Sequence, residues 1–148
     1  MENLTAKQVE EKEAAQMTEE DIIDRIIEHD GVPEATYLIE RLNIPVTLKG
    51  LSEKEITRIR KECTYTRKER GKRIKEFDDE EFNAALIEIA TVIPNWNDKR
   101  LLDALKLSDG RQVIKKQLLA GETSALGDKV LELSGFDNEL EEIENIKN

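Results

Sequence analysis

Apolar residues recur three and four positions apart along most of this chain, and polar caps or glycine and proline stops divide them into short runs. The stretch from Phe77 to Glu122 shows this best. Phe82, Ala85, Leu86, Ile89 and Ile93 share one helical face. Ahead of them Asp78 can cap the backbone, Glu81 completes a capping box, and Phe77 is placed to staple onto Phe82. Pro94 ends this helix, because the residue before a proline is pushed out of the helical region. Asn97 is predicted to cap a second helix carrying Leu101, Leu102 and Leu105, with Trp96 and Leu101 as its staple pair. A third helix begins at Ser108 or Asp109 and takes Val113, Ile114, Leu118 and Leu119 to a stop at Gly121.

Similar patterning flanks this core. Thr18 caps a helix with Asp21 at its third position, Met17 faces Ile22, and Ile22, Ile23, Ile26 and Ile27 form a narrow stripe before Gly31 and Pro33. Such a stripe packs on its own core or lies in a partner's groove, and its own core is the favoured reading. Residues 35–49 suit either helix or strand. The β-branched and aromatic residues Thr36, Tyr37, Ile39, Val46 and Thr47 around Asn43-Ile44-Pro45 favour a hairpin, Thr36–Leu42 with Val46–Lys49. Ser52 and Glu55 open a helix that turns Ile56, Ile59 and Cys63 inward and frays near Gly71. After Gly121, Thr123 or Ser124 caps a helix bearing Leu126, Val130, Leu131 and Leu133, which Gly135 stops with Phe136 folding back. Asp137 then caps a short last helix with Leu140, Ile143 and Ile146 spaced by three. The first sixteen residues hold few large apolar groups and read as a solvated arm, flexible or transiently helical. The expected fold is therefore mainly α, a compact multi-helix domain with one short β-hairpin and a flexible acidic N-terminal arm. Residues 1–16 form the arm and 17–148 the domain, with the last helix, 137–147, able to swing.

Charge adds what periodicity does not. The chain of 148 residues carries a net charge of -10, with 38% charged and only 4% aromatic residues. From Lys54 to Lys75 there are ten basic residues against three acids, whereas residues 1–30 hold ten acids and three bases. This segregation supports three readings. A basic helix over 54–75 grips phosphates, forms a plain solvated face, or meets the acidic end of a neighbouring copy through Arg58, Lys61, Arg67, Lys68, Arg70 and Arg73. Nucleic acid is disfavoured: only Tyr65 is interleaved for stacking, no recognition motif is present, and the overall balance is acidic. No apolar run approaches the ~20 residues that span a bilayer, so no membrane partner is expected. The single cysteine, Cys63, excludes an internal disulfide and fits a reducing compartment. A soluble cytoplasmic protein is expected.

Catalytic chemistry is thin. One histidine, His29, and one cysteine cannot populate a nucleophilic triad or a histidine–cysteine zinc site. The acids Asp78, Asp79, Glu80 and Glu81 read as first-turn residues favoured by the helix dipole rather than as metal ligands. No enzyme, metal or cofactor is expected.

Several segments, in order, carry a resemblance: LSEKEITRIRKECT, FDDEEFNAALIEIATVIPNWND, QLLAGETSAL, ELSGFD and the terminal IKN. Together they resemble the XkdN-like phage tail assembly chaperones of phages and prophage elements, over roughly two thirds of the chain, Leu51–Asn148. The most specific pieces are the corner Ala90–Asp98, the Leu-Leu-x-Gly-Glu step at Leu118–Glu122, and the Leu-Ser-Gly-Phe turn at Leu133–Phe136. Phe77, Phe82, Pro94, Trp96, Leu101, Gly121, Gly135 and Phe136 are its structural landmarks. Trp96 stands where the family favours phenylalanine, and Ala120 where proline is commoner. The resemblance implies a non-catalytic chaperone that holds the helical tape-measure protein soluble until tail-tube subunits polymerise around it. To that picture the segregated charge adds the expectation that copies of the chain associate with one another. Two stripes could bind such a client, Leu140, Ile143 and Ile146 or Ile22, Ile23, Ile26 and Ile27, and the C-terminal one is favoured because it follows a glycine stop. The alternative is an oligomeric phage regulatory or nucleic-acid-associated protein that uses the basic helix 54–75.

Overall fold

The computed structural model describes residues 5–29, 31–136, 140 and 142. These fall into two compact units, one of residues 1–31 with 139–148 and one of residues 32–138.

The first unit contains helices α1 (Ala6–Ala15) and α2 (Glu19–Glu28). Both open on complete capping boxes, Thr5 with Gln8 and Thr18 with Asp21, so each first turn has its free backbone donors partly satisfied. Neither helix buries a residue. In the stripe of α2, Ile26 is 70% and Ile27 72% exposed. The last helix expected at 137–147 lies outside the described residues, apart from Leu140 and Glu142.

The second unit begins with a hairpin, β1 (Glu34–Ile39) and β2 (Ile44–Lys49), joined by a turn in which Asn43 adopts φ 52°. Helix α3 (Glu53–Glu62) follows, capped by Ser52 and Glu55. A second hairpin then rises, β3 (Thr64–Glu69) paired with β4 (Lys72–Phe77). Next come α4 (Asp79–Ala90), β5 (Thr91–Ile93), α5 (Lys99–Leu105), α6 (Gly110–Gln117) and α7 (Ala120–Leu133). Strand β5 pairs antiparallel with β2, making a three-stranded sheet in the order β1-β2-β5.

A mainly α fold with one hairpin is therefore not what forms: the described residues contain seven helices and five strands in two sheets. The largest departure is the basic segment. Its helix stops at Glu62, and Thr64, Tyr65 and Thr66, two β-branched residues around an aromatic, continue as strand. Arg70 and Gly71, with φ of 52° and 78°, make the two-residue turn whose twist matches paired strands. A second departure is at Thr91. The helix expected to reach Ile93 ends at Ala90, because β2 offers a strand edge and Thr91–Ile93 takes it.

Smaller corrections concern caps. Asp98, not Asn97, caps α5 by accepting from Leu101 N–H at 3.2 Å, while Asn97 Oδ1 accepts from Gly110 N–H at 2.8 Å. Gly121 does not stop a helix but lies in the first turn of α7, whose N-cap is Leu119 rather than Thr123 or Ser124. Asp78 caps α4 as expected, but the return half of its box is replaced. Asp78 N–H donates to the Cys63 carbonyl at 2.9 Å, and the Glu81 carboxylate faces Arg111 and Lys115. At the other end of the unit α7 closes with a left-handed Gly135 (φ 92°), and Phe136 N–H donates back to the Leu131 carbonyl at 3.1 Å.

Helix α4 is the centre of the core. Ala84, Ala85, Leu86, Ile87 and Ala90 are wholly buried, and α3, α6, α7 and β2 all pack against it. A helix enclosed on several sides must be apolar well beyond one stripe, and the alanines let its neighbours approach closely. Phe77 meets Phe82 edge-to-face at 5.1 Å, and the Arg60 guanidinium lies over the Phe82 ring at 5.6 Å. Trp96 is buried, and its indole N–H donates to Thr91 Oγ1 at 3.0 Å. Leu101 packs against the same cluster, half-buried, while Pro94 follows a cis peptide bond and Phe136 stays exposed.

Candidate interaction surfaces

No metal-binding group of three histidine, cysteine or acidic residues occurs among the described residues, and no helix among them is long and apolar enough to cross a membrane. What the structure offers is surface, in three places.

The first is the exposed stripe of α2. Ile22, Ile23, Ile26 and Ile27 occupy neighbouring positions of a ten-residue helix with no buried residue. Ile22 and Ile26, with Met17, line a shallow concavity of about 640 Å³. Leu140 of the other expected stripe is fully exposed at 99%, and Ile143 and Ile146 lie outside the described residues.

The second is the β1 side of the sheet. Pro45 lacks an N–H and stands opposite Leu38, so the ladder bonds of β1 must come from Ala35, Tyr37 and Ile39. The N–H and C=O groups of Glu34, Thr36 and Leu38 point away from β2 along an edge. Beside it a groove of about 490 Å³ is lined by Tyr37, Leu38, Leu119 and Leu126, with Lys129 Nζ 5.7 Å from the Tyr37 ring centre. Arg41 closes one end. It donates to Glu122 at 2.8 Å and to the Gln117 carbonyl at 2.7 Å, tying the hairpin to the start of α7. The bond from Arg41, then that from Leu119 N–H, holds the Glu122 carboxyl below its ordinary range, and the same pairing raises the Arg41 guanidinium.

The third is the basic region. Arg58 and Lys61 lie on the exposed face of α3. Arg67, Lys68, Arg70 and Arg73 lie on the ribbon β3–β4, which is solvent-exposed along nearly its whole length. Arg67 is already neutralised, 3.1 Å from Glu69 and 2.7 Å from Glu76. Tyr65 donates to Glu76 at 2.7 Å, and that carboxylate raises the phenol's pKa. The six sequence-selected cations are thus not one helical face. They divide between a helix and a ribbon, and one of them is spent internally.

Sequence reasoning missed Arg111. Its guanidinium lies 3.3 Å from Glu62, 3.4 Å from Glu81 and 3.5 Å from Glu88, clasping α6 to α3 and α4. Lys115 reinforces it at Glu81. Nothing local in the sequence marks Arg111, since its partners are 23 to 49 residues away. Cys63 is buried beneath the same helices, and burial raises its thiol pKa.

Residues 23–147 match the model of a family described as phage XkdN-like tail assembly chaperone protein. Two Bacillus subtilis (strain 168) relatives align over 103 residues. The uncharacterized protein YqbN is 34% identical, over 68% of this chain and 69% of its own length. The phage-like element PBSX protein XkdN is 32% identical, over 68% and 70%. The crystal structure of YqbN superposes with a TM-score of 0.54 at 26% identity, covering 72% of this chain and 88% of that one.

Proposed function

The chain belongs to the XkdN-like phage tail assembly chaperones, and from that premise we propose that it binds the helical tape-measure protein of a phage or prophage tail and keeps it soluble during assembly. It does so without catalysis, in the cytoplasm of the bacterial host. The observation that carries this reading is the α2 stripe. Four isoleucines on one short helix stand in solvent, where a helical client can cover them with its own apolar face. Fully burying one such side chain is worth ~1.5–3 kcal/mol. A partly covered stripe gives a weak contact per copy, and many copies along one long client add up. The C-terminal stripe Leu140, Ile143 and Ile146, of which Leu140 is likewise exposed, is the second candidate. The separation of acidic and basic segments supports a further part of the proposal, that copies associate with one another.

Co-expression with the tape-measure protein tests the reading. Wild type is expected to raise the soluble fraction of the client and to co-purify with it. Ile22→Asp with Ile26→Asp is expected to keep its circular dichroism and lose that effect, whereas Leu140→Asp is expected to retain it. Client solubility unchanged by the α2 variant places the contact elsewhere. No effect of wild type on the client refutes the chaperone reading. The exposed cations of the ribbon favour a second reading, a regulatory or nucleic-acid-associated protein using residues 54–75. A duplex shifted by micromolar protein at ~0.15 M salt would support it.

A further inference from the structure

Strand alternation sorts the charges of the ribbon onto two different faces. Residues paired across β3 and β4 project to the same side. One face holds Tyr65 with Glu76, Arg67 with Ile74, and Glu69 with Lys72. Its charges are largely matched, as the bonds of Arg67 and Tyr65 show. The other face holds Thr64 with Phe77, Thr66 with Lys75, and Lys68 with Arg73. It contains no acid. Lys68 stands directly opposite Arg73, a like-charge pair that weakens a ribbon unless something neutralises it. Lys68, Arg73 and Lys75 are exposed and have no ion-pair partner among the described residues.

The acidic counterpart is on the same chain type. Helix α2 carries Glu20, Asp24 and Glu28 at four-residue spacing, a row opposite Ile22 and Ile26 and bordered by Ile23 and Ile27. All three are exposed and make no ion pair among the described residues. Successive members of that row are about 6 Å apart along the helix. Arg73 and Lys75, two residues apart on a strand, are separated by about 7 Å. The two rows have nearly the same period.

We propose that the Thr66–Lys68–Arg73–Lys75 face of the ribbon docks the Glu20–Asp24–Glu28 row of α2 in a second copy. This rests on the self-association reading and names its surfaces. The contact is heterologous, ribbon to helix, so it extends from copy to copy rather than closing on itself as a two-fold pair. It leaves Ile22 and Ile26 of each docked α2 free for a client, while Ile23 and Ile27 border the contact. An acidic helix is preferred to a nucleic acid because the chain as a whole carries -10, which opposes a polyanion at long range. Two such rows in contact act within a Debye length, about 10 Å at 0.1 M salt.

Sedimentation velocity with two charge-reversed variants tests the contact. One carries Lys68→Glu, Arg73→Glu and Lys75→Glu, which keeps a like-charge pair on the ribbon and so leaves its intrinsic stability comparable. The other carries Glu20→Lys, Asp24→Lys and Glu28→Lys. Wild type is expected to exceed monomer mass at about 0.1 M salt and to return to monomer near about 0.5 M. Each variant alone is expected to associate at least about tenfold more weakly. Mixed in equal amounts they are expected to associate again, the intact α2 of one copy on the intact ribbon of the other and the two reversed surfaces, now of opposite sign, on each other. Circular dichroism checks folding, and neutral glutamine replacements at the same ribbon positions stand in if the reversed ribbon unfolds. Wild type that is monomeric at about 0.1 M salt refutes self-association altogether. Variants that associate like wild type, or a mixture that stays monomeric, refute this pair of surfaces alone. A 20-base-pair DNA shifted by wild type at ~0.15 M salt, and released by the ribbon variant, assigns the ribbon to nucleic acid instead.

Discussion

Truncating Trp96 to alanine puts a number on the corner between α4 and α5. The indole is 6% exposed, belongs to the same buried cluster as Phe82, Leu86 and Val113, and donates to Thr91 Oγ1 at 3.0 Å. Thr91 Oγ1 in turn donates to the Ile87 carbonyl at the end of α4, so the tryptophan also anchors the step from helix to β5. Removing a buried tryptophan side chain typically costs ~3–5 kcal/mol, transfer and cavity together. Against a total of ~5–15 kcal/mol for a domain, that is a large fraction. Trp96→Phe separates the two contributions. It retains most of the buried apolar volume and loses the indole hydrogen bond, an interaction worth ~0.5–1.5 kcal/mol net. Urea unfolding followed by circular dichroism is the suitable assay, because Trp96 is the only tryptophan and its removal abolishes the fluorescence signal. The expected order of midpoints is wild type, then Trp96→Phe, then Trp96→Ala, well below both. A Trp96→Ala midpoint indistinguishable from wild type would show that the corner contributes nothing to the core.

Three further outcomes are expected. Gly50→Ala is destabilising by roughly 1–3 kcal/mol, because a Cβ there comes within 2.4 Å of the Leu133 carbonyl oxygen, a backbone atom that cannot swing aside; urea midpoints check it. Cys63 reacts with a thiol reagent only at the rate at which the core opens, since it is buried and its thiol pKa is raised; labelling as fast in buffer as in denaturant would contradict that. Glu122 and Glu55 both have lowered carboxyl pKa values, the first through Arg41 and the second through the Ser52 N–H. Their stabilisation is therefore complete above the ordinary carboxylate range and is lost as pH falls through the depressed values. Glu122→Gln is expected to lower the midpoint slightly at neutral pH and to narrow its gap from wild type as the solution is acidified.

Local signals were legible residue by residue. The capping boxes at Thr18 and Ser52, the Asp78 cap, the Phe77–Phe82 staple, the Asn43 turn and the Gly135 stop each depend on side chains within a few positions of the backbone they satisfy. Family membership was legible for the same reason, since the corner Ala90–Asp98 and the turn Leu133–Phe136 are contiguous strings. What escaped depended on partners distant in the chain. Thr91–Ile93 is helical by periodicity and becomes strand because β2, more than forty positions earlier, presents an edge to it. Arg111 is one cation among 23 basic residues until folding brings Glu62, Glu81 and Glu88 around it. Residues 64–77 hold enough charge to read as a solvated helix, and only pairing across the Arg70-Gly71 turn decides which cations share a face. The α2 stripe shows the remaining limit. Amphipathic spacing determines that Ile22, Ile23, Ile26 and Ile27 lie together, but what that face meets depends on partners the spacing does not name, and within its own helix pair α2 buries none of them.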